Sequence, residues 1–394
     1  MNINILYLIP SLSNPGGMER VLTDKVNYLV ENGDYNITIA TTDMQDGDFP
    51  FYPLDKKINI INFKIYFDSI FKLGLMEKIK KNNKLLHVYK KSLTDFICDS
   101  KIDICISMGA KEIEFFSKMD TTAVKIFESH FNPTVRSSFI ADHKGDSLLW
   151  IFFGKFRDWQ YRKQTKDLDQ VVVLTKSAKT EWEKTHENIF LINNPSPFET
   201  IINRTCLEYK RAIAIGRLED QKGFDLLIES WRKVYSKAPD WKLDIFGDGS
   251  KKDMLQRLIN ENNLDQVITL RGVTRNVQEE LLKSDFYVMS SRYEGLPMVL
   301  LESIANGLPI VSFDCPTGPA EIVENNDCGL LALNANVNDL SEKILYMIEN
   351  QNERIGMSMV ALKKSKKYSI SLIMEQWEKL FTKMMVRRLE LIKK

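Results

Sequence analysis

Cysteine is scarce and unpatterned in this chain. Its five, Cys98, Cys105, Cys206, Cys315 and Cys328, are scattered through 394 residues without a Cys-x-x-Cys spacing, and the four histidines form no cluster with them. Neither a disulfide framework nor a structural zinc site is indicated. Long apolar runs are missing as well. None approaches the roughly 18 residues of a membrane span, and Met1-Asn2-Ile3-Asn4-Ile5 lacks the basic start and cleavage site of a secretion signal, so the expected location is the cytosol. Charge of one sign is not in excess either, the net value being +1. No recognition module accompanies the local basic patches, which argues against nucleic acid as a partner.

What is present is apolar content for two cores, 44% of residues, in a length of about two domains. Short apolar runs at residues 3–9, 37–40, 102–106, 124–127 and 171–174 read as parallel strands alternating with helices. The pattern lapses at Asn193-Asn194-Pro195-Ser196-Pro197, the expected linker, and resumes with strands at 212–215, 241–246, 268–270, 286–289 and 309–313. The expected fold class is α/β, two Rossmann-like domains facing a central cleft, with boundaries at 1–195 and 196–372. Leu149, Phe152, Phe153 and Phe156 recur at helical spacing between Leu148 and Trp159, which favours a helix packed on the core over a membrane anchor. Residues 64–91 carry eight lysines (64, 72, 78, 80, 81, 84, 90 and 91) against Asp68 and Glu77, interleaved with Phe63, Phe67, Phe71 and Leu75. Such a stretch suits an anionic membrane surface and equally suits a solvated helix face. A second basic region runs from Lys363-Lys364 through Arg387-Arg388 to Lys393-Lys394.

The most informative segment is Arg292-Tyr293-Glu294-Gly295-Leu296-Pro297-Met298-Val299-Leu300-Leu301-Glu302-Ser303. A buried strand precedes it, Pro297 suits a helix start, and Gly307 suits a stop. Glu294 therefore belongs at a strand's carboxyl end, where open α/β sheets hold ligands, and Glu302 about two turns on can accept hydrogen bonds from vicinal hydroxyls such as those of a ribose. Two carboxylates on one strand-turn-helix cannot easily flank a bond as glycosidase pairs do. They point to nucleotide-sugar chemistry, the competing reading being two solvated glutamates. In Gly216-Arg217-Leu218-Glu219-Asp220-Gln221-Lys222-Gly223, Arg217 can grip a diphosphate bidentately while Lys222 adds a point charge. The alternative there is an ion pair with Glu219 or Asp220. Gly16 and Gly17, in the turn after the first strand, would let backbone N–H groups approach a phosphate or sugar. His130, at the end of strand 124–127, can meet a sugar hydroxyl or serve structurally.

Taken together, Gly16-Gly17-Met18-Glu19-Arg20, Glu128-Ser129-His130, Gly216-Arg217 with Lys222-Gly223, Phe246-Gly247-Asp248-Gly249, Glu294 to Glu302, and Gly329-Leu330-Leu331 resemble the retaining glycosyltransferases of family four, which have the GT-B fold. The resemblance spans most of the chain. It implies that Arg217 and Lys222 hold the donor diphosphate, Glu302 the ribose, and Glu294 with the backbone of Gly295 and Leu296 the transferred sugar, which His130 also contacts, while Gly17 faces the diphosphate. It also implies that the final helix, 373–394, rejoins the first domain, which takes the acceptor, and that the partners are a nucleotide-sugar donor and a lipid-linked or surface-glycan acceptor at the inner face of the cytoplasmic membrane. No cofactor or metal is expected: Asp46-Gly47-Asp48 and Asp167-Leu168-Asp169 read as turn or helix-end residues, not as a strand-edge metal motif. One departure is Asp314-Cys315-Pro316-Thr317-Gly318-Pro319-Ala320-Glu321-Ile322, where many members have a glycine-rich turn; it looks like the variant found in bacterial surface-polysaccharide enzymes that often use UDP-sugars. Two competing readings share the architecture, a UDP-sugar 2-epimerase and a non-catalytic glycosyltransferase-like subunit. An oxidoreductase fits poorly, because Lys252 stands where a dinucleotide fingerprint needs its third glycine.

Overall fold

Alternate residues of a strand point to opposite faces, and in the first strand both sets are apolar. A computed structural model describes residues 2–70, 73–134, 137, 140, 147–204 and 207–392; Phe71, Lys72, Cys206, Lys393 and Lys394 lie outside the described residues. Within β1 (Ile3–Leu8), Ile5 and Tyr7 enter one apolar cluster while Leu6 and Leu8 enter another. A strand buried on both faces needs helices on both, which is the parallel arrangement. With β2 (Tyr35–Thr41), β3 (Asn59–Asn62), β4 (Ile104–Ser107), β5 (Val124–Ser129), β6 (Gln170–Val173) and β7 (Ile189–Leu191) it forms a parallel sheet in the order β3-β2-β1-β4-β5-β6-β7.

A second sheet contains β8 (Arg211–Ile215), β9 (Lys242–Phe246), β10 (Ile268–Gly272), β11 (Phe286–Met289), β12 (Ile310–Phe313) and β13 (Gly329–Ala332), in the order β10-β9-β8-β11-β12-β13 and again parallel. The chain accordingly divides into two compact units, Met1–Pro195 with Ile370–Lys394, and Ser196–Ser369. The fold is the α/β class expected from the alternating pattern, with a doubly wound sheet in each unit. Edge strands β3 and β7 have no counterpart in the apolar runs of the sequence. They are three or four residues long and only partly buried, so hydrogen bonding to a neighbour defines them more than hydrophobicity does.

One expectation about surfaces is corrected. The helix Leu148–Thr165 does not pack on the core through its aromatic stripe: Leu149 and Phe152 are 73% and 74% exposed, and Phe153 and Phe156 are exposed too. Its buried positions are Gly154, Asp158, Tyr161 and Thr165, a second stripe at the same helical period. Gly154 sits so close to Ser137 that a Cβ there would lie 2.9 Å from its Cα, and no bulky side chain fits on that side. In the lysine-rich stretch Phe63 and Phe67 pack against Tyr89. Phe67 is buried with its ring 6.0 Å from that of Tyr89, Phe63 lies 5.7 Å from the same ring, and Lys64 pairs with Asp46. The helix Leu75–Asp99 still carries exposed Lys80, Lys84 and Lys91.

The helix Ile370–Ile392 belongs to the first unit and packs there beside helix Gly17–Asn32, burying Trp377, Leu380 and Phe381. Between these helices and the sheet lies a lysine with no solvent exposure. Lys25 Nζ is 2.6 Å from Glu128 Oε2 and 3.8 Å from the centroid of the Trp377 ring, so a carboxylate and an aromatic face share its charge. Burial opposes the Glu128 charge, but Lys25, and after it His130, outweigh that and bring the carboxyl down to about 2. Burial likewise pushes the Lys25 ammonium down, and the carboxylate resists. Lys25→Met should cost about 3 to 5 kcal/mol in urea unfolding followed by tryptophan fluorescence, because it strands a buried carboxylate, whereas Lys25→Met with Glu128→Leu should recover most of that loss. A carboxyl whose pKa is lower in the fold contributes stability in full above the unfolded value of about 4.3, and that contribution fades as pH falls through about 2. The double variant should lack this acid dependence.

Candidate functional site

In the second sheet the strand order reverses between β8 and β11, and at such a switch point the loops leaving the carboxyl ends splay apart to leave a crevice. The loop after β8 delivers Arg217 and Lys222, and the loop after β11 delivers Glu294. Gly223 lets the two loops meet. It adopts φ +60°, and a Cβ there would stand 2.1 Å from the Ser290 carbonyl oxygen, so only glycine fits. Ser290 Oγ donates to the Lys222 carbonyl at 2.9 Å, and the Arg292 N–H to that of Gln221 at 2.8 Å. The Arg292 guanidinium bonds the Asp220 carbonyl and takes both carboxylate oxygens of Asp225, at 3.0 and 2.7 Å.

Against this frame Lys222 Nζ lies 2.6 Å from Glu294 Oε1, the lysine partly exposed and the glutamate buried. The alternative pairings of the loop are occupied otherwise: Glu219 accepts from Ser250 N and Oγ at 2.8 and 2.7 Å, and Asp220 pairs with Lys251 at 3.0 Å. Arg217 is exposed and donates to Gln221 Oε1 at 3.3 Å. Glu302 is half-buried on the helix Met298–Ala305, which leaves this turn, and Tyr287 lies on the strand before it. Burial chiefly, then Glu302 and Glu294, raise that phenol far above its usual value against the Ile215 backbone; protonated, it donates to the Ile215 carbonyl at 2.9 Å. Gly295 and Leu296 fill the turn between Glu294 and this helix, and both are buried.

The departing segment after β12 closes the turn from the other side. Thr317 Oγ1 donates to the Glu294 carbonyl, and Gly318 at φ +94° brings its Cα so near the Gly295 carbonyl that a Cβ would be 2.6 Å from it. Beside them the Cys315 thiol is held up, chiefly by burial and then by Glu294, which leaves it a poor nucleophile. Arg292, Tyr287 and Thr317 are contributors that motif reading did not assign. Only the fold reveals them, since each donates to a carbonyl remote in sequence.

The first-unit candidates lie at the carboxyl edge of the other sheet. Gly16 caps the helix Gly17–Asn32, no side chain caps it instead, and Gly17 is exposed. The Glu19 carboxylate folds over Gly16, where a Cβ would be 2.2 Å from it, so an anion reaching this helix start must displace that side chain. His130 is buried just beyond β5, its Nε2 3.4 Å from Glu128 Oε1, too loosely aligned for a hydrogen bond. Thus Arg217, Lys222, Glu294, Gly295, Leu296 and Glu302 lie on the loops and the helix that follow β8 and β11, while Gly16 and Gly17 at a helix start and His130 beyond β5 belong to a separate unit. Among the described residues no three His, Cys, Asp or Glu side chains are grouped to hold a metal ion.

Two parallel sheets of this topology make up the GT-B fold, and known structures agree. A TarM mutant of S. aureus, solved in complex with fondaparinux, α-GlcNAc-glycerol and UDP, superposes with a TM-score of 0.76 at 22% identity, over 96% of this chain and 99% of that one. Residues 201–363, which lie within the second unit, match the family described as Glycosyl transferases group 1. Over the whole chain, the amylovoran biosynthesis glycosyltransferase AmsD of Erwinia amylovora is 29% identical across 95% of this chain and 98% of its own. The poly(ribitol-phosphate) alpha-N-acetylglucosaminyltransferase of Staphylococcus aureus is 31% identical across 76% of this chain and 59% of its own.

Gly223 offers a test of the site's construction. Gly223→Ala puts an L-residue into the left-handed region, worth roughly 1 to 2 kcal/mol, and also forces the Ser290 carbonyl to move. The thermal midpoint should fall by several degrees; an unchanged midpoint would show that the two loops do not depend on this contact.

Proposed function

We propose that this protein is a retaining hexosyltransferase that carries a hexose from a nucleotide sugar, UDP-linked, to a lipid-linked or surface-glycan acceptor at the inner face of the cytoplasmic membrane. The observation that carries the reading is the Lys222–Glu294 contact of 2.6 Å at the switch point, with Arg217 and Glu302 on the adjoining loop and helix. When the anomeric C–O bond breaks, the electron pair stays with the diphosphate, and a fixed ammonium and guanidinium offset the charge that develops there. Lys222 and Arg217 take that role, Glu302 binds the ribose hydroxyls, and Glu294 with the backbone of Gly295 and Leu296 holds the sugar. The first unit supplies His130 to the sugar and Gly16-Gly17 to the diphosphate. In an attack from the leaving group's own face, the acceptor oxygen bonds the anomeric carbon and its proton passes to the departing diphosphate oxygen. Two relatives favour this chemistry: one is named for an α-linked product, and the TarM structure holds UDP with α-GlcNAc-glycerol. The amylovoran enzyme favours a glycan acceptor.

The carboxylates separate the roles experimentally. Glu302→Ala should weaken UDP binding in calorimetry by about 1 to 3 kcal/mol, the cost of losing hydrogen bonds to a charged group. Glu294→Ala should leave UDP affinity nearly unchanged and slow transfer about 100-fold or more. The reverse pattern would exchange the two assignments, and conversion of the sugar nucleotide without an acceptor would identify an epimerase instead.

With two cations on the leaving group, transfer is further proposed to proceed without a divalent metal. It should survive EDTA; abolition by the chelator with rescue by manganese or magnesium would refute this.

A further inference from the structure

The helix Leu148–Thr165 turns its bulkiest residues to solvent. Leu148, Leu149, Phe152, Phe153, Phe156 and Trp159 are all exposed, whereas Gly154, Asp158, Tyr161 and Thr165 are buried. At about 100° per residue the buried four share one side of the helix and the exposed six the opposite side. The Phe156 and Trp159 rings stack at 5.7 Å, so the stripe is a continuous apolar ridge. Cations border it: Lys155 on one flank, Arg157 on the other, and Lys163 one turn beyond Trp159, its Nζ 5.2 Å from the indole centroid. The one acid in the helix, Asp158, points inward and accepts the Ser137 N–H at 3.1 Å.

This charge distribution selects the occupant. A second copy of the chain could match ridge to ridge only by bringing Lys155, Arg157 and Lys163 towards their own counterparts, with no acid on the ridge to receive them. An anionic bilayer satisfies both features at once, the aromatics entering the headgroup boundary and the cations meeting lipid phosphates. No helix among the described residues is long and apolar enough to cross a membrane, and a helix about 27 Å long with one core-bound side lies flat on such a surface. We propose that the helix Leu148–Thr165 is the membrane-docking element of this protein, and that its ridge inserts into anionic lipid. The proposal takes its setting from the membrane-bound acceptor of the proposed function and replaces residues 64–91 as the principal lipid contact, since Phe63 and Phe67 of that stretch pack against Tyr89.

The test uses the full chain, sedimented with vesicles of mixed phosphatidylglycerol and phosphatidylcholine and with vesicles of phosphatidylcholine alone. Two variants are compared with the wild type: Phe152→Ser with Phe156→Ser and Trp159→Ser, and Lys155→Glu with Lys163→Glu. Wild type should bind the anionic vesicles preferentially, and less as salt screens the charges. The aromatic variant should bind about tenfold more weakly or worse, the charge variant should lose its preference for anionic lipid, and both should keep the thermal midpoint and UDP affinity of the wild type, because every altered side chain is exposed. Wild type remaining in the supernatant, equal binding by wild type and variants, or a wild-type oligomer that the aromatic variant dissolves without any vesicle binding would each overturn the proposal. Vesicle binding without UDP binding would instead refute the catalytic reading and leave the docking surface standing.

Discussion

The contact between Lys222 and Glu294 is the constraint on which the second unit is organised. The two residues are 72 positions apart, on loops that leave neighbouring strands of a parallel sheet, and at the switch point nothing in the ladder itself joins those loops. They are joined by a glycine whose absent Cβ admits the Ser290 carbonyl, by the Arg292 guanidinium bound to Asp220 and Asp225, and by Thr317 beneath the Glu294 carbonyl. Each removes freedom that a long lysine would otherwise retain. In the proposed function the Lys222 ammonium, held beside the buried Glu294 carboxylate, takes the donor diphosphate as its partner.

The first unit solves a related problem differently. Its buried cation, Lys25, is enclosed by Glu128 and the Trp377 ring, and Trp377 comes from the last helix of the chain. A buried ion pair adds little net stability over an apolar core, but its separate halves are costly. The pair therefore penalises any packing that leaves the final helix out of place. Glu128 stands two residues before His130, so the group assigned to the sugar adjoins this anchored charge.

Helix Leu148–Thr165 shows why periodicity alone misjudges a surface. Its aromatic stripe and its small-residue stripe share one period, and hydrophobicity favours burying the first. Close approach at Gly154 and the buried Asp158 bond decide for the second, because an element can dock only where its side chains leave room.

By itself, the amino-acid order determined the parallel strands and marked Arg217, Lys222, Glu294 and Glu302 as candidates, because these follow from local period, turn chemistry and charge within short segments. The tertiary structure alone decided that Lys222 pairs with Glu294 and not with Glu219 or Asp220, that Lys25 is buried with Glu128, that Tyr287 and Thr317 join the site, and which stripe of the aromatic helix faces water. Those outcomes depend on partners 23 to 103 residues distant or on the space a neighbour leaves, and neither is encoded in any window of adjacent residues.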